Sequence, residues 1–307
     1  MNSIMVTGTV FVDCKGFSAL PYDPHGRNLG RIEFVHGGVG RNVAENLSNL
    51  GLPVKFVSTV DTSAIGREVV SRLRHSRVDT TALFESEPNG MGMWLAILNE
   101  EGNLAGSISQ MPELGFLENK LRDHGAEWVR ESEQLVLELD LSDAISETII
   151  ELSKRYAKPV YGIPGNLDVI LRNRHLLAEL QCFICNEVEA EKIMEVSLNH
   201  QTPQQIAEQL KLYAHSIGIP SMVITLGENG SVYYDSNTGC TGYQPVVPVR
   251  LVDSSGAGDA FFSGTVAGLI RKLSLEDAVK LGTRVAAWTI ESSENTCRDL
   301  SSKFNNK

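Results

Sequence analysis

A chain of 307 residues, 42% hydrophobic and 21% charged, can bury a substantial core, and that composition argues against disorder. A formal charge of −11, with no long run of Lys or Arg, excludes the electrostatic footprint of a nucleic-acid or anionic-membrane partner and leaves a small-molecule substrate. The five cysteines are odd in number and spread from Cys14 to Cys297, so they form no disulfide framework and fit a reducing cytoplasm.

The first segment, "MNSIMVTGTVFVD", reaches a polar residue too soon for a secretory signal, and no apolar run is long enough to span a bilayer. It predicts a strand, "IMVTGTVFV", with Asp13 at its end. "GRIEFVHGG", residues 30–38, reads as a further strand and runs into "HGGVGRNVAENLSNLG". There Gly37, Gly38 and Gly40 free the backbone before a helix. Asn42 offers a donor and an acceptor to a polyhydroxylated ligand, or caps that helix. A strand ("VKFVSTV") and a helix ("AIGREVVSRLRHS") follow, then a hairpin, "MGMWLAILNEEGNLAGSIS", residues 91–109, with a glycine-containing turn.

Alternation then becomes regular: "QLVLELD" ending at Asp140, "DAISETIIELSKRY", "KPVYGI", "QCFICN", "EVEAEKIMEV", "PQQIAEQLKLYAHSIG" and "SMVITLG". Strand and helix in this order predict an α/β fold: a mostly parallel central sheet with helices on both faces, one domain over residues 1–307. Residues 10–13, 30–38 and 91–109 fall outside that rhythm and are expected to form a small β lid over the C-terminal edge of the sheet, where α/β ligands bind. The lid hairpin alternates apolar and polar residues, so it has an apolar face to cover, and a homodimer through the lid is expected. Cys182 and Cys185 read C-x-x-C, but they lie in an apolar strand and no second pair completes a zinc site, so they are core cysteines.

Chemistry concentrates in "SSGAGDAFFSG", residues 254–264. Gly256, Ala257 and Gly258 permit a backbone turn whose amides can approach a ligand, and from Ala260 onward the pattern is helical with an apolar face. A helix N-terminus attracts anions, phosphate above all, so Asp259 beside it either caps the helix or acts on what the turn holds. Neither glycine-rich segment has the lysine of a Walker A loop or the spacing of a dinucleotide fingerprint, which leaves an NAD-dependent oxidoreductase only as a third competitor, separable by cofactor binding alone.

"GGVGRNVA" early and "DSSGAGDAFFSG" late resemble the two signature segments of the ribokinase-like (PfkB) family of carbohydrate and nucleoside kinases, and the likeness extends to "NEVE" and "TLGENG". The resemblance implies the ribokinase-like three-layer α/β/α fold and ATP- and Mg2+-dependent phosphorylation of a sugar or nucleoside hydroxyl. It makes Asp259 the base that takes the hydroxyl proton, and gives the amides of Gly256, Ala257 and Gly258 the developing phosphoryl charge. A carboxylate beside a helix N-terminus is expected to stay ionised near neutrality, ready as a base but a weak one.

The same resemblance places the sugar on Asp13, Gly37, Gly38, Asn42 and Asp140, and ATP on Asn186, Thr225, Gly227 and Gly230. Glu189 would meet Mg2+ through water, and Asp253 and Ser255 sit where many relatives hold a monovalent cation, K+ being the expected one. Ile163 departs from the pattern, standing where many members carry an aspartate before the proline, with Asn166 a neutral substitute nearby. Within the family, "GGVGRNVAENL", "TVDTSAIG" and "ENTCRDLS" are most similar to pseudouridine kinases, which implies 5'-phosphorylation of pseudouridine, its base read by Ser107, Ser109, Asn99 or Lys15. Ribokinase, fructokinase-like and other nucleoside kinases stand next, then a sugar- or nucleoside-binding regulator that has lost transfer.

Overall fold

The computed structural model describes residues 3–139, 141–165, 167–297 and 299–305. In chain order the strands are β1 (Ile4–Thr7), β2 (Phe11–Ser18), β3 (Gly30–Gly37), β4 (Val54–Val60), β5 (Leu83–Glu85), β6 (Gly92–Leu98), β7 (Leu104–Gln110), β8 (Gln134–Glu138), β9 (Val160–Ile163), β10 (Cys182–Asn186), β11 (Ser221–Thr225), β12 (Ser231–Asp235) and β13 (Cys240–Gln244). The helices are α1 (Val39–Asn49), α2 (Ala64–His75), α3 (Gly115–Glu131), α4 (Asp143–Tyr156), α5 (Asp168–Arg172), α6 (Glu187–Met194), α7 (Pro203–Ile217), α8 (Ala257–Ile270), α9 (Leu275–Ile290) and α10 (Leu300–Asn305).

The main sheet runs β13-β12-β11-β10-β9-β8-β1-β4-β5, parallel except for β12 and β13 at one edge. Its strands are apolar on both faces because both are covered: Ile4 and Val6 of β1 face α1, α2, α8 and α9, whereas Met5 faces the layer of α3, α4 and α7. Each fully buried aliphatic side chain contributes about 1.5–3 kcal/mol. These are the three layers that the alternation predicts. Cys182 and Cys185 are buried in β10 as core residues.

The second sheet is the lid, ordered β3-β2-β6-β7. The apolar run from Ile4 does not make one strand: β1 stops at Thr7, the chain turns at Gly8, and β2 begins at Phe11 in the other sheet and runs on to Ser18. Gly8 lets that segment pass close to the turn before α1, because a Cβ there would lie 2.5 Å from the Gly40 Cα. The register puts Val35, Asp13, Trp94 and Ser109 in one row, and Phe34, Cys14, Leu95 and Ile108 in the next, so the rows face opposite ways. Asp13 faces a cleft above the main sheet; Phe34 (55% exposed), Ile108 (69%) and Ile32 (70%) are on the far side.

Helix α8 starts at Ala257, one turn earlier than its sequence suggests, and is buried on nearly every side rather than along one stripe. Gly256 caps it with φ +74°, and a Cβ there would lie 2.1 Å from the Asn295 carbonyl oxygen. Glycine is required at this position on both counts.

Candidate active site

Parallel strands bring their C-terminal ends to one edge, and there Asp13, Gly38, Asn42, Ser255, Gly256 and Asp259 line a cleft of about 400 Å3. Asp259 is the third residue of α8 and does not cap it. Its Oδ2 instead accepts a 2.7 Å hydrogen bond from Asn42 Nδ2. The direction of that bond is fixed from behind: Asn42 Oδ1 accepts from Arg41 Nη1 at 2.7 Å, and a guanidinium can only donate. Asn42 therefore serves the carboxylate and is not a helix cap, since α1 is capped by Gly38 without any side-chain bond.

The expectation of a fully ionised Asp259 is corrected. Burial in the protein packed around its carboxyl pushes the pKa up to about 7; the Asn42 bond pulls it down, and the Glu138 charge adds to the rise. A helix N-terminus alone would have held it low, but desolvation is the larger effect. A group poised there is a better base at neutral pH than an ordinary aspartate.

One amide of the anticipated anion hole is also corrected. The Ala257 N–H donates to the Ser254 carbonyl at 3.2 Å, so the donors left at this helix start are those of Gly256, Gly258 and Asp259. Above Gly258 there is open space, since a Cβ there would meet nothing within 4 Å. A phosphoryl group can reach these amides.

Asp13 faces the cleft from the lid, with Gly37 beside it; burial raises its pKa, against which the Lys15 ammonium and a bond from Asn295 act. Lys15 lies 3.7 Å from Asp253, whose carboxylate also accepts the Ser255 N–H at 2.8 Å. Lys15 is therefore committed to an acid rather than to reading a base. Asn99 closes the lid hairpin by accepting from the Glu101 and Asn103 N–H groups, which makes it a turn residue. Asp140 and Asn166 lie outside the described residues.

Asn186, Glu189, Thr225, Gly227 and Gly230 follow along the same edge, outside the cleft, with Asn186 and Thr225 side by side in register. Asn186 and Glu189 form a capping box at α6: Asn186 Oδ1 accepts from Glu189 N at 2.9 Å, and Glu189 Oε2 accepts from Asn186 N at 2.7 Å. Gly227 and Gly230 have positive φ in the turn between β11 and β12. Ile163 is buried in the core at the end of β9, and the carboxylate in register beside it is Glu138.

Glu138 escaped the sequence reading. It is 5% exposed, and its Oε2 accepts from Thr9 N at 2.8 Å and Gly40 N at 3.0 Å, tying the turn after β1 to the glycine turn before α1. Asn295, also unread, lines the cleft and donates to the His36 carbonyl at 3.1 Å. Behind them Arg41 is buried and paired with Glu45 and, through Glu45, with Arg72; the two guanidiniums outweigh the effect of burial and hold Glu45 below the usual carboxylate range.

A carboxylate bonded to an amide, unpaired amides at a helix start and a second carboxylate on the lid share one cleft, an arrangement with the parts an alcohol phosphotransferase uses. Residues 1–300 match the pfkB family of carbohydrate kinases, and the chain belongs to that family. It is 40% identical over 296 residues to the guanosine-inosine kinase of Exiguobacterium acetylicum, covering 96% of each chain, and 22% identical to the pseudouridine kinase of Escherichia coli (strain K12), covering 97% of this chain and 93% of that protein. The fold matches that of an Arabidopsis thaliana ribokinase solved with ribose and ATP, at TM-score 0.81 and 19% identity over 98% of this chain and 97% of that one. A putative sugar kinase from Clostridium perfringens superposes at TM-score 0.83 with 24% identity, covering 100% and 96%. No helix among the described residues is long and apolar enough to cross a membrane.

Proposed function

We propose that the protein transfers the γ-phosphoryl group of ATP to the 5'-hydroxyl of a purine ribonucleoside, guanosine or inosine. The observation that carries this reading is the 40% identity, over 96% of both chains, to a guanosine-inosine kinase, against 22% to a pseudouridine kinase. Pseudouridine, favoured by the short motifs alone, becomes the second reading.

In this reaction the ribose lies between Asp13 and Asp259 with its hydroxyl on the Asp259 carboxylate. The hydroxyl oxygen attacks the γ-phosphorus as its proton passes to Asp259, the bond from that phosphorus to the β,γ-bridging oxygen breaks and ADP leaves, and the amides of Gly256, Gly258 and Asp259 meet the charge on the phosphoryl oxygens. Val35, Trp94 and Ser109, level with Asp13 on the same face of the lid, offer a flat apolar wall and a hydroxyl to the base.

The described residues contain no cluster of three His, Cys, Asp or Glu side chains able to hold a metal. That fits Mg2+ carried by the nucleotide phosphates and its own waters, with Glu189 the protein carboxylate nearest in role. Bound there, the ion would neutralise phosphate charge. A monovalent cation at Asp253 and Ser255 would share the carboxylate with Lys15. The exposed apolar row of Phe34, Leu95 and Ile108 supports a homodimer through the lid.

The test is a panel of guanosine, inosine, pseudouridine, uridine, adenosine, ribose and fructose with Mg-ATP, scored by kcat/KM. Guanosine and inosine should lead. If ribose or fructose wins by tenfold the purine reading is wrong while the Asp259 chemistry stands, and if nothing turns over a binding regulator takes its place.

A further inference from the structure

Asn295 is 5% exposed, stands against Asp13, and donates to the His36 carbonyl at the end of lid strand β3. It belongs to no regular element, so its place has to be fixed by other residues. The residues on either side of it are held by one guanidinium. Arg72 of α2 sets Nη1 2.5 Å from Glu294 and donates from Nη2 to Thr296 Oγ1 at 2.9 Å. Its third nitrogen, Nε, donates to Glu45 at 3.0 Å, which anchors the fork to α1. Glu294 and Thr296 thus face α2 while Asn295, between them, faces the cleft.

Arg72 itself does not line the substrate cleft. It borders a separate cavity of about 680 Å3, between α1, α2 and the residues around Asp299. We infer that Arg72 is a positioning residue for nucleoside binding, acting through Glu294 and Thr296 on Asn295, which aligns Asp13 and the end of the lid for the ribose. The inference rests on the nucleoside-kinase reading. It concerns the sugar and not the base.

Three nitrogens of one planar group reach three acceptors on two segments, a geometry that a lysine ammonium on its flexible stem does not reproduce. Asn295 reaches the anion hole only by its backbone, the carbonyl that packs on Gly256. Truncating its side chain therefore separates ribose binding from transfer.

The experiment first finds which nucleoside of the panel the wild-type enzyme phosphorylates, then measures KM and kcat with it for Asn295→Ala, Arg72→Met, Thr296→Val and the Asn295→Ala/Arg72→Met pair. Asn295→Ala should raise the nucleoside KM about tenfold or more, leaving kcat and the KM for ATP within threefold. Arg72→Met should do the same, and the double variant should be no worse than the worse single one, because the two act in series. Thr296→Val, which loses one hydroxyl and keeps both ion pairs, should raise that KM a few-fold even if Arg72→Met fails to fold. A wild-type nucleoside KM in Thr296→Val, or effects that multiply in the double variant, overturns the inference. A wild-type enzyme inactive on every nucleoside overturns the functional reading instead.

Discussion

Replacing Asp259 with Asn should slow the reaction and stabilise the fold. Desolvation lifts this carboxyl from 3.8 to about 7. At 1.36 kcal/mol for each unit of pKa, that disfavours the ionised form by roughly 4 kcal/mol, and the part of the side chain still open to the cleft reduces the figure to roughly 2 kcal/mol. Between pH 4 and pH 7 the folded protein keeps a proton that the unfolded chain has released, so stability falls as pH rises through this window and the penalty is complete above pH 7. Asn carries no charge at any pH, and its carbonyl oxygen can still accept the bond from Asn42. The variant should match the wild type near pH 4 and exceed it at pH 8, by about 3 °C in Tm for a chain of this length. Its kcat should fall by about 10^2- to 10^4-fold, while wild-type kcat/KM should climb with pH through about 7. Thermal unfolding of both proteins at pH 4.5 and 8, beside a pH–rate profile, measures all of this. A variant no more stable than wild type at pH 8, or a wild-type profile already flat by pH 5, refutes the reasoning.

Asn42→Ala removes the bond that lowers the Asp259 pKa, so the acid limb of kcat/KM should move to higher pH and the rate at pH 7 fall about tenfold or more. Glu138→Gln keeps an acceptor for the Thr9 and Gly40 N–H groups but removes a charge that raises the same pKa, and its acid limb should move the other way. Glu138→Ala leaves both N–H groups buried without a partner and should cost about 2–5 kcal/mol by urea unfolding. Sedimentation at micromolar concentration should give a dimer for the wild type and a monomer for Phe34→Glu, which puts a charge on the exposed face of the lid.

The α/β alternation was legible because buried parallel strands and amphipathic helices leave different periods in the chain, and the Asp259 turn was legible because glycine has few other reasons to flank an acid. Glu138 was hidden by its surroundings: in "QLVLELD" it looks like a polar break in a strand, and Asp140, at the strand's end, is the more conspicuous acid. Arg41 and Glu45 were hidden for the opposite reason. An Arg–Glu pair four apart is the usual mark of a solvated helix face, yet here both are buried. Asn295 lies in "ENTCRDLS", which carries a family likeness but gives none of its residues a role, and only the fold brings His36 to it. Residues 10–13 read as lid, but the point where the chain leaves the main sheet was not legible, because Val10 and Val12 continue the apolar run from Ile4.

The cleft is closed by bonds between distant parts of the chain: Thr9 to Glu138 across 129 residues, Asn42 to Asp259 across 217, and His36 to Asn295 across 259. On a ribosome, a growing chain that has emerged as far as β13 holds every strand of both sheets but neither Asp259 nor the glycine turn that starts α8. On the proposed chemistry such a chain cannot carry out transfer, because the residues that complete the cleft, from Ser255 to Asn295, all follow β13. Activity should therefore switch on late and all at once during synthesis, when the segment around Asn295 docks against Gly256 and the lid together.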